Sequence, residues 1–205
     1  MKLIAHRGYS LKYKDNSIEA IKSAIDKKFD GLEIDIQPCK TGDLCVYHDL
    51  YIDDKFVRDM SLDEIRSKNI HTLEDIFDII SEVQVYLDIK GNDPQTPSLI
   101  LNFFKYRSHK NITFCSFNRR LLKSLLPSMK KGTTFEMIPS GFQEFEVLTR
   151  DMQTVFVHWS CLDKYFIDYC KRCNIEIYAY THKTQKDLEY ICQYDVDGII
   201  TNGIY

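Results

Sequence analysis

Gly31-Leu32-Glu33-Ile34-Asp35-Ile36-Gln37 is a short, mainly apolar run whose length suits a single β-strand. Glu33 and Asp35 stand two apart, so both side chains leave the strand on one face. Ile34 between them is then expected to face outward, against covering helices. Runs of the same kind recur at Lys2–Arg7, Val85–Lys90, Ile112–Phe117, Thr133–Met137, Thr154–Trp159, Glu176–Thr181 and Gly198–Thr201. Between them lie helical patterns at Ser17–Phe29, Thr72–Glu82, Pro97–Ser108, Asn118–Met129, Phe142–Asp151, Leu162–Asn174 and Lys183–Tyr194. Alternation of strand and helix implies βαβ units and a parallel sheet. Eight strands is the count of the α/β class TIM-type (β/α)8 barrel, with a doubly wound open sheet as the alternative.

With 205 residues and an apolar fraction of 44%, the chain suits one domain with a sizeable core. Residues 1–205 are therefore read as a single compact barrel domain. Two features depart from the simplest barrel. Residues 38–71 hold no clean helix directly after the second strand, only an extended piece at Leu44–His48 and a short helix near Leu62–Ser67. A connection that long after a barrel strand reads as an active-site loop region. The sequence also offers no clear final outer helix after Thr201, so another segment or a second copy of the chain is expected to cover the first and last strands.

A net charge of −3 with no block of Lys or Arg argues against nucleic acid as a partner. Seven cysteines without framework spacing read as reduced thiols, and Cys170-x-x-Cys173 as two packed or half-packed ones. Neither a signal peptide nor a run of the roughly 20 apolar residues a membrane helix requires is visible. A cytoplasmic location is expected.

Polar residues collect at the C-terminal ends of the apolar runs: His6 and Arg7, Glu33 and Asp35, Asp88 and Lys90, Asn118, His158 and Trp159, Tyr180 and His182, and Asn202. That face carries the chemistry of barrel enzymes. Glu33, Asp35 and Asp88 would converge there as three carboxylates, and burying even one charge is costly unless it is compensated. Oxygen-only ligands favour a hard divalent cation, Mg²⁺ or Ca²⁺, over zinc; Lys90 is the alternative neutraliser. His6 and His48 are the proton-transfer candidates, because two imidazoles can divide the work of base and acid.

Ala5-His6-Arg7-Gly8, Asp15-Asn16-Ser17 with Glu19-Ala20, Gly31-Leu32-Glu33-Ile34-Asp35, Thr41-Gly42-Asp43 with Val46 and His48-Asp49, Thr72-Leu73-Glu74-Asp75, Leu87-Asp88-Ile89-Lys90, Ser116-Phe117-Asn118 and Asp197-Gly198-Ile199-Ile200-Thr201-Asn202 occur in one order along the chain. In that order they resemble the glycerophosphodiester phosphodiesterases, phospholipase C-like phosphodiesterase barrels of lipid metabolism. The resemblance implies a metal-dependent hydrolase that splits a glycerophosphodiester into an alcohol and glycerol phosphate. It implies a metal on Glu33, Asp35 and Asp88, catalytic histidines at His6 and His48, and phosphate contacts from Arg7 and Lys90. It leaves His48 as the favoured acid and His6 as the favoured base, with water or a substrate hydroxyl as nucleophile.

Four departures bear on substrate. Asp88 stands for the usual Glu, Tyr180-Thr181-His182 for Trp-Thr-Val-Asn, Asn202 for a terminal Asp, and the loop after His48 is short. Tyr180 keeps an aromatic face for substrate. A sphingomyelinase D or phospholipase D-like barrel acting on (lyso)phospholipids by cyclisation is the enzymatic alternative. A catalytically inactive binding barrel is the other. The expected partner is a small phosphodiester, a glycerophosphodiester or lysophospholipid, with a homo-oligomer left open.

Overall fold

The computed structural model describes residues 1–137 and 142–204. Eight parallel strands are numbered here in chain order: β1 Lys2–His6, β2 Gly31–Pro38, β3 Val85–Ile89, β4 Ile112–Ser116, β5 Lys130–Phe135, β6 Thr154–His158, β7 Glu176–His182 and β8 Gly198–Thr201. Each pairs with its sequence neighbour, and β1 pairs with both β8 and β2, with Ile4 opposite Ile200 on one side and Gly31 on the other. The sheet therefore closes into a barrel, and the open doubly wound alternative is excluded.

Side chains alternate as a closed sheet demands. Ile4, Tyr86, Cys115, Phe156, Tyr178 and Ile200 fill the interior. Ile34, Ile36, Leu87, Ile89 and Phe114 pack outward against helices. The interior phenols are satisfied: Tyr86 donates to the Tyr178 hydroxyl at 2.7 Å, and Lys2 donates to the same oxygen at 3.1 Å. Room for these rings comes from inward glycines. A Cβ on Gly198 would lie 2.5 Å from Cε1 of Tyr178, and one on Gly132 would lie 2.6 Å from Cε2 of Phe156. Both rings are buried with no freedom to retreat. Gly198→Ala is therefore expected to cost about 1–3 kcal/mol through overpacking, read as a lowered midpoint in thermal unfolding. An unchanged midpoint would contradict this account of the barrel interior.

The outer layer is α1 Ile18–Asp26, α3 Leu73–Ile80, α4 Thr96–Phe103, α5 Arg119–Lys123, α6 Phe142–Thr149, α7 Lys164–Arg172 and α8 Gln185–Ile191, with α2 Leu62–Ser67 belonging to the loop after β2. Start signals are local: Ser17 accepts from the Ala20 N–H, and Ser61, Thr72 and Thr184 each form a capping box. Several expected elements are shorter or shifted; the helix expected over Pro97–Ser108, for one, spans Thr96–Phe103. The helix expected over Asn118–Met129 ends at Lys123 with Ser124 as its C-cap, and Pro127 keeps it from resuming by disfavouring helical backbone at Leu126. The fifth strand begins at Lys130, three residues before the expected Thr133: Lys130 lies at the open N-terminal mouth of the barrel, and Lys131 is buried within the strand. Among the described residues no helix follows β8. Leu3 of β1 packs into the cluster under α7 and α8, and Ala5 into the one under α1.

Residues after β2 form a small annex to the barrel. Leu44–Cys45 pairs antiparallel with Gln37 and Pro38, a shorter piece than the expected Leu44–His48. Cys39, Cys45, Val57, Met60, Ile65 and Ile70 give this annex its own buried cluster. All seven cysteines are free; Cys170 is buried and Cys173 is exposed. No helix among the described residues is long and apolar enough to cross a membrane.

Candidate active site

The C-terminal mouth of the barrel opens into a cavity of about 250 Å³. His6, Arg7, Glu33, His48, Asp88, Lys90 and Tyr180 all line it. Asp35 lies beneath, fully buried. Five of these eight residues come from the inward, two-apart positions of β1, β2, β3 and β7 and the sixth, Lys90, continues that pattern one residue past β3.

Glu33, Asp35 and Asp88 offer ligand atoms within 4.8 Å of one another, and all three are buried. Asp35 is the most firmly held. Asn16 Nδ2 donates to its Oδ2 at 2.8 Å, Arg7 Nε lies 3.2 Å from the same oxygen, and Lys90 Nζ lies 2.9 Å from Oδ1. Lys90 also reaches Asp88 Oδ2 at 2.5 Å. Burial works against the Asp35 carboxylate, but Lys90, Arg7 and Asn16 outweigh it and hold its pKa below the usual value. Glu33 goes the other way, pushed well up by burial and by the Asp35 charge beside it. Asp88 is also raised, by burial with Asp35 adding to it, although Lys90 opposes the shift.

Three carboxylates thus face two fixed cations, and Asp88 Oδ1 is a buried acceptor with no hydrogen-bond partner among the described residues. That is the pattern expected where a further cation belongs, and the all-oxygen donor set suits a hard divalent ion. The acidic cluster therefore fits the cation expected of it.

The histidines are held differently. His6 Nδ1 lies 2.7 Å from Asn202 Oδ1, an amide oxygen that can only accept. The ring proton therefore sits on Nδ1, and Nε2, 3.9 Å from Glu33 Oε2, carries the free lone pair. Burial, with Arg7 adding to it, lowers the His6 pKa to about 4. The imidazole is neutral at pH 7. His48 is 39% exposed, with Nδ1 2.8 Å from Asp49 Oδ1. Its place is set by Gln37, the next inward residue of β2, whose amide donates to the carbonyls of Tyr47 and Asp49 at 2.9 and 2.7 Å.

Local backbone geometry aims the first motif. Arg7 and Gly8 have φ of 57° and 78°, turning the chain sharply as it leaves β1. The Arg7 N–H then donates to Glu33 Oε2 at 3.1 Å. A Cβ on Gly8 would sit 2.6 Å from the Ala20 carbonyl carbon, so the turn admits glycine alone. Tyr180 is fixed by its hydroxyl, which donates to the Phe135 carbonyl at 2.9 Å, and its ring meets Phe117 edge-on at 6.3 Å.

Not every strand-end polar residue points here. His158 turns to Ser160, and Trp159 packs on Tyr190. His182 contacts Thr201, after a register shift in β7 beyond Ala179. Asn118 caps α5 by accepting from the Arg120 N–H. Asn16, Gln37 and Glu136 had no assigned role in the sequence reading, yet the first two orient the site and the third lines it. Gln37 was within reach of sequence reasoning, because it continues the two-residue period of Glu33 and Asp35.

A family model described as the glycerophosphoryl diester phosphodiesterase family matches residues 6–204. A glycerophosphodiester phosphodiesterase of Caldanaerobacter subterraneus subsp. tengcongensis is 28% identical over 98% of this chain and 93% of its own length. Among solved structures, an Oleispira antarctica phosphodiesterase in complex with the product sn-glycerol-3-phosphate superposes with a TM-score of 0.86 at 22% identity, covering 98% of this chain and 93% of that one. A Thermotoga maritima glycerophosphodiester phosphodiesterase gives 0.85 at 24% identity, covering 98% and 94%. At such identities the two structural likenesses bear on the fold, which is the same closed barrel.

Proposed function

Since the chain belongs to the glycerophosphoryl diester phosphodiesterase family, we propose that it hydrolyses glycerophosphodiesters to an alcohol and glycerol phosphate, with Mg²⁺ or Ca²⁺ held by Glu33, Asp35 and Asp88. The observation that carries this reading is the meeting of three buried carboxylates, two cations and two histidines in one cavity at the barrel's C-terminal mouth. The product named for the Oleispira antarctica enzyme, sn-glycerol-3-phosphate, has the chemistry this reading requires.

A cation on the three carboxylates would offset charge that develops on the phosphoryl oxygens. Arg7 and Lys90 bind the phosphate and add to that stabilisation. His6, neutral and with Nε2 free, removes a proton from the attacking hydroxyl or water. As the new P–O bond forms, the bond to the leaving alcohol breaks, and His48 delivers a proton to the departing oxygen. Partial exposure suits His48 to this task, because solvent can restore its proton after each turnover. Asn202 keeps the His6 proton on Nδ1, and Tyr180 presents a fixed ring to the organic part of the substrate.

Phosphorus NMR of the reaction with sn-glycero-3-phosphocholine tests the proposal. The expected result is glycerol phosphate as final product, with free choline. Cyclic phosphate as the end product would instead favour the phospholipase D-like alternative. An absence of turnover with either ion, across several glycerophosphodiesters, would overturn the assignment.

A further inference from the structure

We propose that a basic groove beside the catalytic cavity binds a second phosphate group carried by the substrate. The inference rests on the phosphodiesterase reading and extends it to a substrate class, glycerophosphodiesters with more than one phosphate.

The groove, about 520 Å³, opens above the C-terminal ends of β3 and β4. Lys90 and Phe117 line both it and the catalytic cavity, so a ligand held at Lys90 has a direct path into it. Its far side carries Arg119, Arg120 and Lys123. None of the three forms an ion pair among the described residues. Residues 116–124 contain no Asp or Glu. In a chain whose net charge is −3, this is a local excess of positive charge.

Arg119 gives the patch its chemical sense. Its guanidinium lies 4.3 Å over the Phe135 ring, and its Nε is buried with no hydrogen-bond partner among the described residues. Arg107 is stacked at the same distance on Phe103, but there Glu74 supplies a carboxylate at 2.7 Å. No such anion accompanies Arg119 among the described residues. A buried donor without an acceptor is unfavourable, and a phosphate, with several oxygens and a planar fork to meet it, is the acceptor that guanidinium geometry favours. Arg120 and Lys123 are exposed at the same wall and would add charge without further burial.

Two related substrates separate the idea from its premise: glycerophosphoglycerol, with one phosphate, and bis(glycerophospho)glycerol, with two. Each is assayed at low salt with the divalent ion held constant. Counting scissile bonds alone favours the second by about twofold. The expected preference in kcat/KM is about tenfold, residing in KM, because charge-assisted contacts to one further phosphate strengthen binding by that order. It should shrink as salt rises. Arg119→Gln should bring the ratio down towards two. Since Arg119 also packs on Phe135, the double variant Arg120→Gln/Lys123→Gln, which alters exposed side chains only, provides a second reading of the same ratio. A wild-type ratio near two, or variants that lower both substrates equally, would overturn the groove assignment while leaving the phosphodiesterase reading intact. If neither substrate turns over, the groove assignment falls, and inertness towards sn-glycero-3-phosphocholine as well would remove the phosphodiesterase reading with it.

Discussion

His48→Ala is expected to lower kcat/KM for sn-glycero-3-phosphocholine by at least about 10², while a p-nitrophenyl phosphodiester loses far less. The asymmetry follows from the leaving groups. An aliphatic alkoxide departs only if it is protonated as the bond breaks, whereas nitrophenolate leaves unaided. A group that supplies that proton matters for the first substrate and not for the second. His6→Ala should lose about 10² or more on both, because removing a proton from the nucleophile is needed whatever leaves. The geometry underlies the contrast: His6 is half-buried, neutral and fixed through Nδ1 by Asn202, whereas His48 stands more exposed on the loop anchored by Gln37. Equal losses on both substrates in His48→Ala would exchange or dissolve the two roles.

The acidic cup should respond to divalent ions as a unit. Adding Mg²⁺ or Ca²⁺ to chelator-treated protein at about 100 times its dissociation constant is expected to stabilise the fold by about 2.7 kcal/mol. For a chain of this size that is a rise of roughly 5–10 °C in the unfolding midpoint. Glu33→Gln should abolish that rise and take activity with it. The sign in the absence of metal is opposite. Burial and Asp35 raise the Glu33 pKa, so the ionised side chain is unfavourable in the folded state near neutral pH. Its stabilising contribution exists only when it is protonated and is lost as pH climbs above the ordinary Glu value. The chelated Glu33→Gln protein should therefore melt no lower than chelated wild type at pH 7. Asp35→Asn is the useful contrast, because Asp35 balances Arg7 and Lys90, and removing its charge leaves two cations facing each other. That variant should be destabilised with or without metal. Identical responses of wild type and Glu33→Gln to the ions would remove Glu33 from the ligand set.

Much of this site was visible in the bare chain for a simple reason. In a parallel barrel the strand period is two and the active face lies at the strand ends, so Glu33 with Asp35, and Asp88 with Lys90, are placed by spacing alone. The local rules had less power at the ends of strands and in loops. His158 and His182 occupy positions as suggestive as that of His6, yet a turn towards Ser160 and a register shift in β7 take them elsewhere. Such shifts depend on neighbouring strands, which a local pattern does not describe.

Sequence by itself determined the strand–helix alternation, the count of eight strands, the long loop after β2 and the placing of Glu33 with Asp35 on one strand face, because these follow from periodicity; closure into a barrel rather than an open sheet was decided by the tertiary structure. Tertiary structure alone decided which partners those charges have. Asn16 reaches Asp35, Asn202 reaches His6, and Gln37 grips the carbonyls either side of His48, contacts spanning 19, 196 and 10 to 12 residues of chain. The Asn202–His6 bond forms only once the sheet has closed and β8 lies beside β1, the Asn16–Asp35 bond once β1 has paired with β2, and the Gln37 bonds once the loop after β2 has folded back over its end.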